Sequence, residues 1–135
     1  MTRAGVQSLL DAHGILPTPQ RIEIAGIFLE RPQHLSAEHV IDKLRSSGTT
    51  VSKATVYNTL NLFSERGLIK EVTVDPERKF YDSTTHPHHH FYNVDTRELS
   101  DIPDDQVCFQ NLPGLPEGTE QESVEVMIKV RNRRD

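Results

Sequence analysis

The chain has 135 residues and a hydrophobic content of 35%, which allows one compact domain or two small domains that share a dimer interface. Its net charge is −5, but residues 1–81 hold 10 basic and 9 acidic side chains whereas residues 82–135 hold 5 and 11, so the N-terminal half can still approach phosphates. The single cysteine excludes an intrachain disulfide, and without a signal peptide or an apolar run near ~18 residues we expect a cytoplasmic protein with no membrane partner.

Two short helices are predicted within the first thirty residues. The first has an apolar stripe that includes Val6, Leu9 and Leu10, and Gly14 fits its C-terminal stop. The second begins with Thr18 as N-cap and Pro19 in the first turn. Its predicted apolar residues are Ile22, Ala25, Ile27, Phe28 and Leu29.

Two further helices and a β-hairpin follow. Ser36 caps the third helix, which points Val40, Ile41 and Leu44 inward and ends at residues 46–48. Ser52 caps the fourth, and Gly67 supplies its left-handed stop after Val56, Leu60 and Phe63 recur at helical spacing. Residues 68–74 and 79–82 are predicted strands joined by a turn at residues 75–78, which completes a winged helix-turn-helix.

The fourth helix is the candidate DNA-reading element, with its N-terminal turns in the major groove. Lys53 and the free amides at the helix start suit phosphate, and Asn58 suits an adenine edge. An ordinary solvated helix face is the alternative. The candidate DNA contacts are Arg21, Ser52, Lys53, Thr55, Tyr57, Asn58 and, at the hairpin tip, Arg78.

Residues 85–92 hold four of the seven histidines and separate two halves of different character. If the strand at residues 91–94 extends back through them, His88 and His90 point to one face and His89 to the other. Two imidazoles at that spacing can converge on one metal ion at roughly 2.1 Å. A polar turn or a chance histidine run is the alternative.

The C-terminal half is predicted to form a small sheet. Strands are expected at residues 91–94, 98–102 and 123–131, with irregular structure over 103–122. Such a sheet has too little core to stand alone, so a twofold partner would complete it. The predicted fold is α+β: a DNA-binding winged helix over residues 1–84, then a small, mostly β dimerisation and metal-sensing domain over 85–135. A frayed tail is expected at residues 131–134, with phosphate contact as the alternative.

The motifs Thr18-Pro19-Gln20-Arg21, His34-Leu35-Ser36-Ala37-Glu38 and Ala54-Thr55-Val56-Tyr57-Asn58-Thr59-Leu60 resemble those of the ferric uptake regulator superfamily. The resemblance covers roughly residues 10–101. Within the superfamily, the chain is most similar to the iron response regulators (Irr), which are associated with iron and haem. This similarity lies in the sequence of residues 58–63, the histidine run and the absence of Cys-x-x-Cys pairs. Two positions that are usually basic in the family are Leu16 and Asn58 here, which implies a different preferred operator.

The resemblance implies a sensing metal held by His34, Asp82, His88, His90 and Asp101. Nitrogen and oxygen ligands without a thiolate suit Fe²⁺ or Mn²⁺, although Zn²⁺ can bind such a set more tightly. The resemblance also implies a second metal site to which His86 and His89 could contribute, but we expect it to be degraded or absent because Pro87 lies beside them and Cys108 stands where an acidic ligand is expected. The histidine run could instead supply an axial imidazole to haem.

The sequence therefore predicts a homodimeric metal- or haem-responsive transcription regulator that binds a pseudo-palindromic operator in double-stranded DNA and controls iron and haem homeostasis genes. A peroxide- or manganese-sensing regulator of the same fold is one alternative. A small histidine-dependent metalloenzyme is another, but an enzyme needs a substrate pocket and a second-shell base, and the chain has no recognisable nucleophile motif or phosphate loop.

Overall fold

The computed structural model describes residues 2–75 and 78–134, without the side chains of Asp75 and Arg78. These residues divide into two compact units, Met1–Thr85 and His86–Asp135. Helices and small sheets are both present, so the predicted α+β class is confirmed. None of the helices within the described ranges has both the length and the apolar composition that a bilayer span requires.

The described part of the first unit contains the predicted helices, each with a side-chain N-cap. Thr2, Thr18, Ser36 and Ser52 each accept a hydrogen bond from the backbone N–H three residues later, which satisfies a donor that the helix leaves unpaired. The caps predicted at Thr18, Ser36 and Ser52 are therefore confirmed. The helices are α1 (Arg3–Ala12), α2 (Pro19–Leu29), α3 (Ala37–Ser46) and α4 (Lys53–Glu65).

Three of these helices end in the same way, at a glycine with positive φ. Gly14, Gly48 and Gly67 have φ angles of 70°, 82° and 77°. After α4, the N–H of Gly67 bonds to the carbonyl of Ser64 and the N–H of Leu68 to that of Phe63, which is a Schellman motif. Leu68 is therefore part of the helix cap, and the following strand begins two residues later than predicted.

The core of the first unit lies between the four helices and the sheet that follows. Leu10, Phe28, Val40 and Leu60 are among the side chains buried there, as the helical spacing predicted. Ile24 is also fully buried, although the predicted stripe of α2 omitted it. The reason is that α2 packs against α1, α3 and α4, so it buries more than one face.

The sheet of the first unit has three antiparallel strands in the order β1-β3-β2. They are β1 (His34–Ser36), β2 (Lys70–Asp75) and β3 (Arg78–Asp82). Strands β2 and β3 form the predicted hairpin, whose turn residues 76–77 lie outside the described residues. Strand β1 was not among the predicted elements: its three residues pair with β3, and His34 is opposite Asp82.

The second unit contains a three-stranded mixed sheet in the order β5-β4-β6. Its strands are β4 (His89–Asn93), β5 (Leu99–Ile102) and β6 (Met127–Val130). β5 runs antiparallel to β4 after a tight turn, whereas β6 runs parallel to it. The long segment between β5 and β6, which holds one 3-10 turn at Asp104–Gln106, provides the crossover that a parallel pair needs. β6 is shorter than the predicted strand at residues 123–131.

Candidate metal centre and nucleic-acid interface

The first unit contributes two of the five predicted metal ligands, and they form a pair. His34 and Asp82 are opposite each other in the β1–β3 ladder, with His34 Nε2 3.1 Å from Asp82 Oδ2. The other carboxylate oxygen, Oδ1, accepts a 2.8 Å hydrogen bond from the N–H of Thr84. Because Asp82 is only 1% exposed and one oxygen has a backbone donor, the second oxygen is held towards the imidazole.

The second unit contributes the other three predicted ligands. His90 is opposite Asp101 in the β4–β5 ladder, and His88 lies on the same face of the chain two residues earlier. Oδ1 of Asp101 is 2.9 Å from His88 Nε2 and 3.5 Å from His90 Nε2. The predicted alternation of His88 and His90 on one face is therefore present.

The tautomer of His88 has a direct consequence for this group. Its Nδ1 lies 2.9 Å from the carbonyl oxygen of His86, and because a carbonyl can only accept, Nδ1 carries the proton. In the neutral form of this ring, Nε2 carries a lone pair and lies 2.9 Å from an oxygen of Asp101. Two acceptors at that distance repel each other unless a cation, either a proton or a metal ion, lies between them.

The donor chemistry of both groups fits a divalent metal ion. Two ligands at right angles, each about 2.1 Å from an octahedral ion, are about 3.0 Å apart. The separations of 3.1, 2.9 and 3.5 Å in the two groups lie near that value. A histidine whose Nδ1–H donates to a carbonyl while Nε2 faces the ligand group is also the usual outer-shell arrangement of a metal-bound imidazole.

His86 and His89, the residues predicted for a second metal or haem site, have different surroundings. His86 is exposed and uses its carbonyl to orient His88. His89 is buried, and its Nδ1 accepts a 2.8 Å hydrogen bond from the N–H of Val126, just before β6. The ring of Phe109 packs edge-on at 5.8 Å between centroids. His89 thus helps to hold β6 beside β4.

The N-terminal half of α4 carries most of the predicted DNA contacts. Lys53 and Asn58 are exposed, whereas Thr55 and Tyr57 are half-buried. The Ser52 hydroxyl is occupied as the helix cap. An open groove of about 570 Å³ lies beside this face, and three predicted contacts are among its lining residues Thr18, Pro19, Gln20, Arg21, Thr55, Asn58, Thr59 and Leu62.

Arg21 and Arg78 complete the predicted set of DNA contacts. The Arg21 guanidinium donates a 2.9 Å hydrogen bond to the carbonyl of Leu16, at the edge of the groove. This bond fixes the side chain near the start of α2 while other guanidinium donors remain for an anion. The side chain of Arg78 lies outside the described residues, so its predicted contact stays a prediction.

The sequence analysis did not predict the contact between Tyr57 and Glu38 on the candidate DNA-binding face. The Tyr57 hydroxyl donates a 2.6 Å hydrogen bond to a carboxylate oxygen of Glu38, in the first turn of α3. This bond raises the pKa of Tyr57 to about 12 and lowers the pKa of Glu38. The two residues are 19 positions apart, and only the packing of α3 against α4 brings them together.

Comparison with known proteins gives a consistent result. The model of the family described as "Ferric uptake regulator family" matches residues 12–128. A ferric uptake regulation protein from Synechococcus elongatus is 33% identical over 110 residues, which is 78% of this chain and 75% of that protein. The peroxide-responsive repressor PerR of Staphylococcus aureus is 34% identical over 77 residues, 57% of this chain and about half (52%) of that protein.

Among solved structures, the ferric uptake regulator from Pseudomonas aeruginosa with manganese superimposes with a TM-score of 0.71. It is 26% identical in sequence, and the match covers 95% of this chain and 98% of that one. The similarity in fold therefore extends over both units.

Proposed function

This chain belongs to the ferric uptake regulator family, and we propose that it is a metal-responsive transcription regulator that controls genes of iron homeostasis. Members of the family are dimeric DNA-binding regulators and not enzymes, so the metalloenzyme alternative is set aside. The metal, the DNA sequence and the residues that contact each are the proposed part.

The signal in this proposal is one divalent metal ion bound by His34, Asp82, His88, His90 and Asp101. The observation that carries it is the 2.9 Å contact between His88 Nε2 and Asp101 Oδ1, with His88 Nδ1 held 2.9 Å from the carbonyl oxygen of His86. The bound ion would supply positive charge that offsets the two carboxylates. It would also be coordinated by ligands from both units. Fe²⁺ and Mn²⁺ suit this nitrogen and oxygen set, and a similar regulator was solved with manganese.

DNA binding is proposed for the first unit, with the N-terminal turns of α4 in the major groove. Lys53 and the start of α2 at Arg21 would contact phosphates, while Tyr57 and Asn58 would face base edges. Support comes from the exposed polar face of α4 and the open groove beside it. Ser52 and Thr55 would assist through the helix start, where amides favour an anion.

Homodimer formation is proposed for the second unit. Ile128 and Val130 alternate along β6 and are 41% and 36% exposed, and Phe91, which is paired in register with Ile128, is 36% exposed. These side chains form an apolar face on a small sheet that has too little core of its own. A second copy that offers the same face would cover it, and a dimer suits a pseudo-palindromic operator.

The test uses the full-length protein, stripped with a chelator and reloaded with Fe²⁺ or Mn²⁺. We expect a duplex selected by the loaded protein from a random library to bind with an affinity that changes at least about tenfold when metal is removed, or about 1.4 kcal/mol of coupling. An affinity that is the same with and without metal would refute a metal-responsive regulator. Failure to select any sequence would refute a DNA-binding one.

A peroxide-responsive regulator is the second candidate, supported by the partial similarity to the Staphylococcus aureus repressor. It predicts that peroxide releases the Fe²⁺-loaded protein from DNA and leaves the Mn²⁺-loaded protein bound. The Irr resemblance also implies haem, but none of the relatives described above is named for it, and the Nδ1 of His89 already accepts the N–H of Val126. We therefore propose the divalent metal as the signal.

A further inference from the structure

The hydroxyl of Tyr57 has a fixed hydrogen-bond partner on the proposed DNA-reading face. Tyr57 is half-buried against the core, which restricts its ring, and its hydroxyl lies 2.6 Å from the Glu38 carboxylate. Glu38 is the second residue of α3, where a negative charge is favoured by the helix N-terminus. The ammonium of Lys53 lies 5.9 Å from the centre of the tyrosine ring and further favours the ionised carboxylate.

The direction of this hydrogen bond is determined by the chemistry of its two groups. An ionised carboxylate only accepts, so the single phenolic proton points to Glu38. The lowered pKa of Glu38 keeps its carboxylate ionised near neutral pH, and the pKa of about 12 at Tyr57 keeps the phenol protonated. What remains of the hydroxyl is its oxygen lone pairs, which can only accept.

Base edges in the major groove differ in what they offer to an acceptor. Adenine presents its N6 amino group and cytosine its N4 amino group, whereas guanine and thymine present oxygen or nitrogen acceptors there. An accepting hydroxyl is therefore complementary to an amino-bearing base and repelled by a keto-bearing one. It is equally unsuited to a phosphate oxygen, which also requires a donor.

We propose that Glu38 is a specificity-determining positioning residue that fixes Tyr57 as a hydrogen-bond acceptor, so that the protein selects adenine or cytosine at the base that Tyr57 meets. This inference rests on the proposed DNA-binding function and on Tyr57 facing the groove. It assigns to Glu38 a role exerted through Tyr57, without a contact of its own to DNA.

The experiment begins with the duplex that the metal-loaded wild-type protein selects from a random library. Each adenine is replaced in turn by purine, and each cytosine by 2-pyrimidinone, which removes only the exocyclic amino group. At one position in each half-site we expect the wild type to lose about two- to tenfold in affinity, the range for one hydrogen bond. Tyr57→Phe should bind the unmodified duplex more weakly by a similar factor and show no further loss at that position.

Substitution of Glu38 tests the positioning role separately. In Glu38→Ala the tyrosine hydroxyl can rotate and donate. The ratio of affinities for amino-bearing over keto-bearing bases should therefore fall towards one, at that position alone. In Glu38→Gln the amide can donate to the tyrosine oxygen, which frees the phenolic proton and should shift the preference towards guanine or thymine. Glu65→Gln, at the exposed C-terminal end of α4, removes the same charge and should leave the preference unchanged.

Three results would overturn the inference. Tyr57→Phe could remain sensitive to the amino group, Glu38→Ala could retain the full wild-type preference, or Glu65→Gln could reproduce the effect of Glu38→Ala. Thermal unfolding within a few degrees of wild type confirms that each variant is folded, and Glu38→Gln provides a conservative second variant. If the wild type selects no sequence at all, the proposed function fails first, and the inference fails with it.

Discussion

At the residue scale, the neighbouring histidines His89 and His90 lie on opposite faces of β4 and make different contacts. His90 faces Asp101 and belongs to the proposed metal centre, whereas His89 accepts a hydrogen bond from Val126 on the other side of the strand. We predict that His90→Ala lowers Mn²⁺ affinity by at least about tenfold, since a ligand is lost where even outer-shell changes have that effect. His89→Ala should retain the metal but destabilise the protein by about 1 kcal/mol, because the Val126 N–H loses its acceptor.

Isothermal titration with Mn²⁺ and chemical denaturation of the metal-free proteins separate these effects. His89→Asn is the matched control, since its side-chain oxygen can accept the same hydrogen bond and should restore part of the lost stability. Loss of Mn²⁺ binding in His89→Ala together with its retention in His90→Ala would show that the ligand assignment is wrong.

At the scale of single elements, α4 is capped at both ends by residues next to it in the chain. The Ser52 hydroxyl accepts the N–H of Thr55 at one end, and the Schellman motif at Gly67 pairs the carbonyls of Phe63 and Ser64 at the other. We predict that Gly67→Ala lowers the free energy of unfolding by about 1–2 kcal/mol, the usual cost of a left-handed conformation for a residue with a Cβ atom. A Cβ atom there meets no atom within 4 Å, so the cost is conformational and not a clash.

Gly26 provides the opposite case in the same unit. It lies inside α2, and a Cβ atom added there also meets nothing within 4 Å. Gly26→Ala should therefore stabilise the protein by about 0.5–1 kcal/mol, because alanine loses less backbone entropy in a helix. Urea denaturation gives the free energy of unfolding of both variants. A change of the same sign in Gly67→Ala and Gly26→Ala would contradict this account of the two glycines.

At the scale of the whole molecule, the proposed regulator needs two copies. We predict that Ile128→Asp converts the dimer to a monomer in sedimentation experiments, because a charge on the apolar face of β6 would have to be desolvated in the interface. Operator affinity should fall with it, since two linked half-site contacts act at a high effective concentration. Dissociation of the dimer without any loss of operator affinity would contradict the two-half-site proposal.

Lys129→Asp is the matched control for this change. Lys129 is the next residue of the same strand, it points to the opposite face, and it is exposed. The variant introduces an acidic side chain beside Ile128 and should leave the dimer intact. A monomeric Lys129→Asp would instead place the interface on the other face of the sheet.

Local chemistry explains most of what could be predicted from the sequence alone. N-caps at Thr18, Ser36 and Ser52 and stops at Gly14 and Gly67 each depend on hydrogen bonds or φ angles within a few residues, so the helices could be located by reading along the chain. The strand period of two likewise placed His88 and His90 on one face. The grouping of all five metal ligands came from the family resemblance and stays a proposal.

The features that only the tertiary structure decided all join residues far apart in the chain. The three-residue strand at His34 has no periodicity of its own and exists because β3 offers it a ladder. β6 lies parallel to β4 because a long crossover allows it, and the N–H of Val126, just before β6, donates to the ring of His89, 37 residues earlier. The hydrogen bond from Tyr57 to Glu38 forms only when α3 and α4 pack together, since no local rule relates two side chains on different helices.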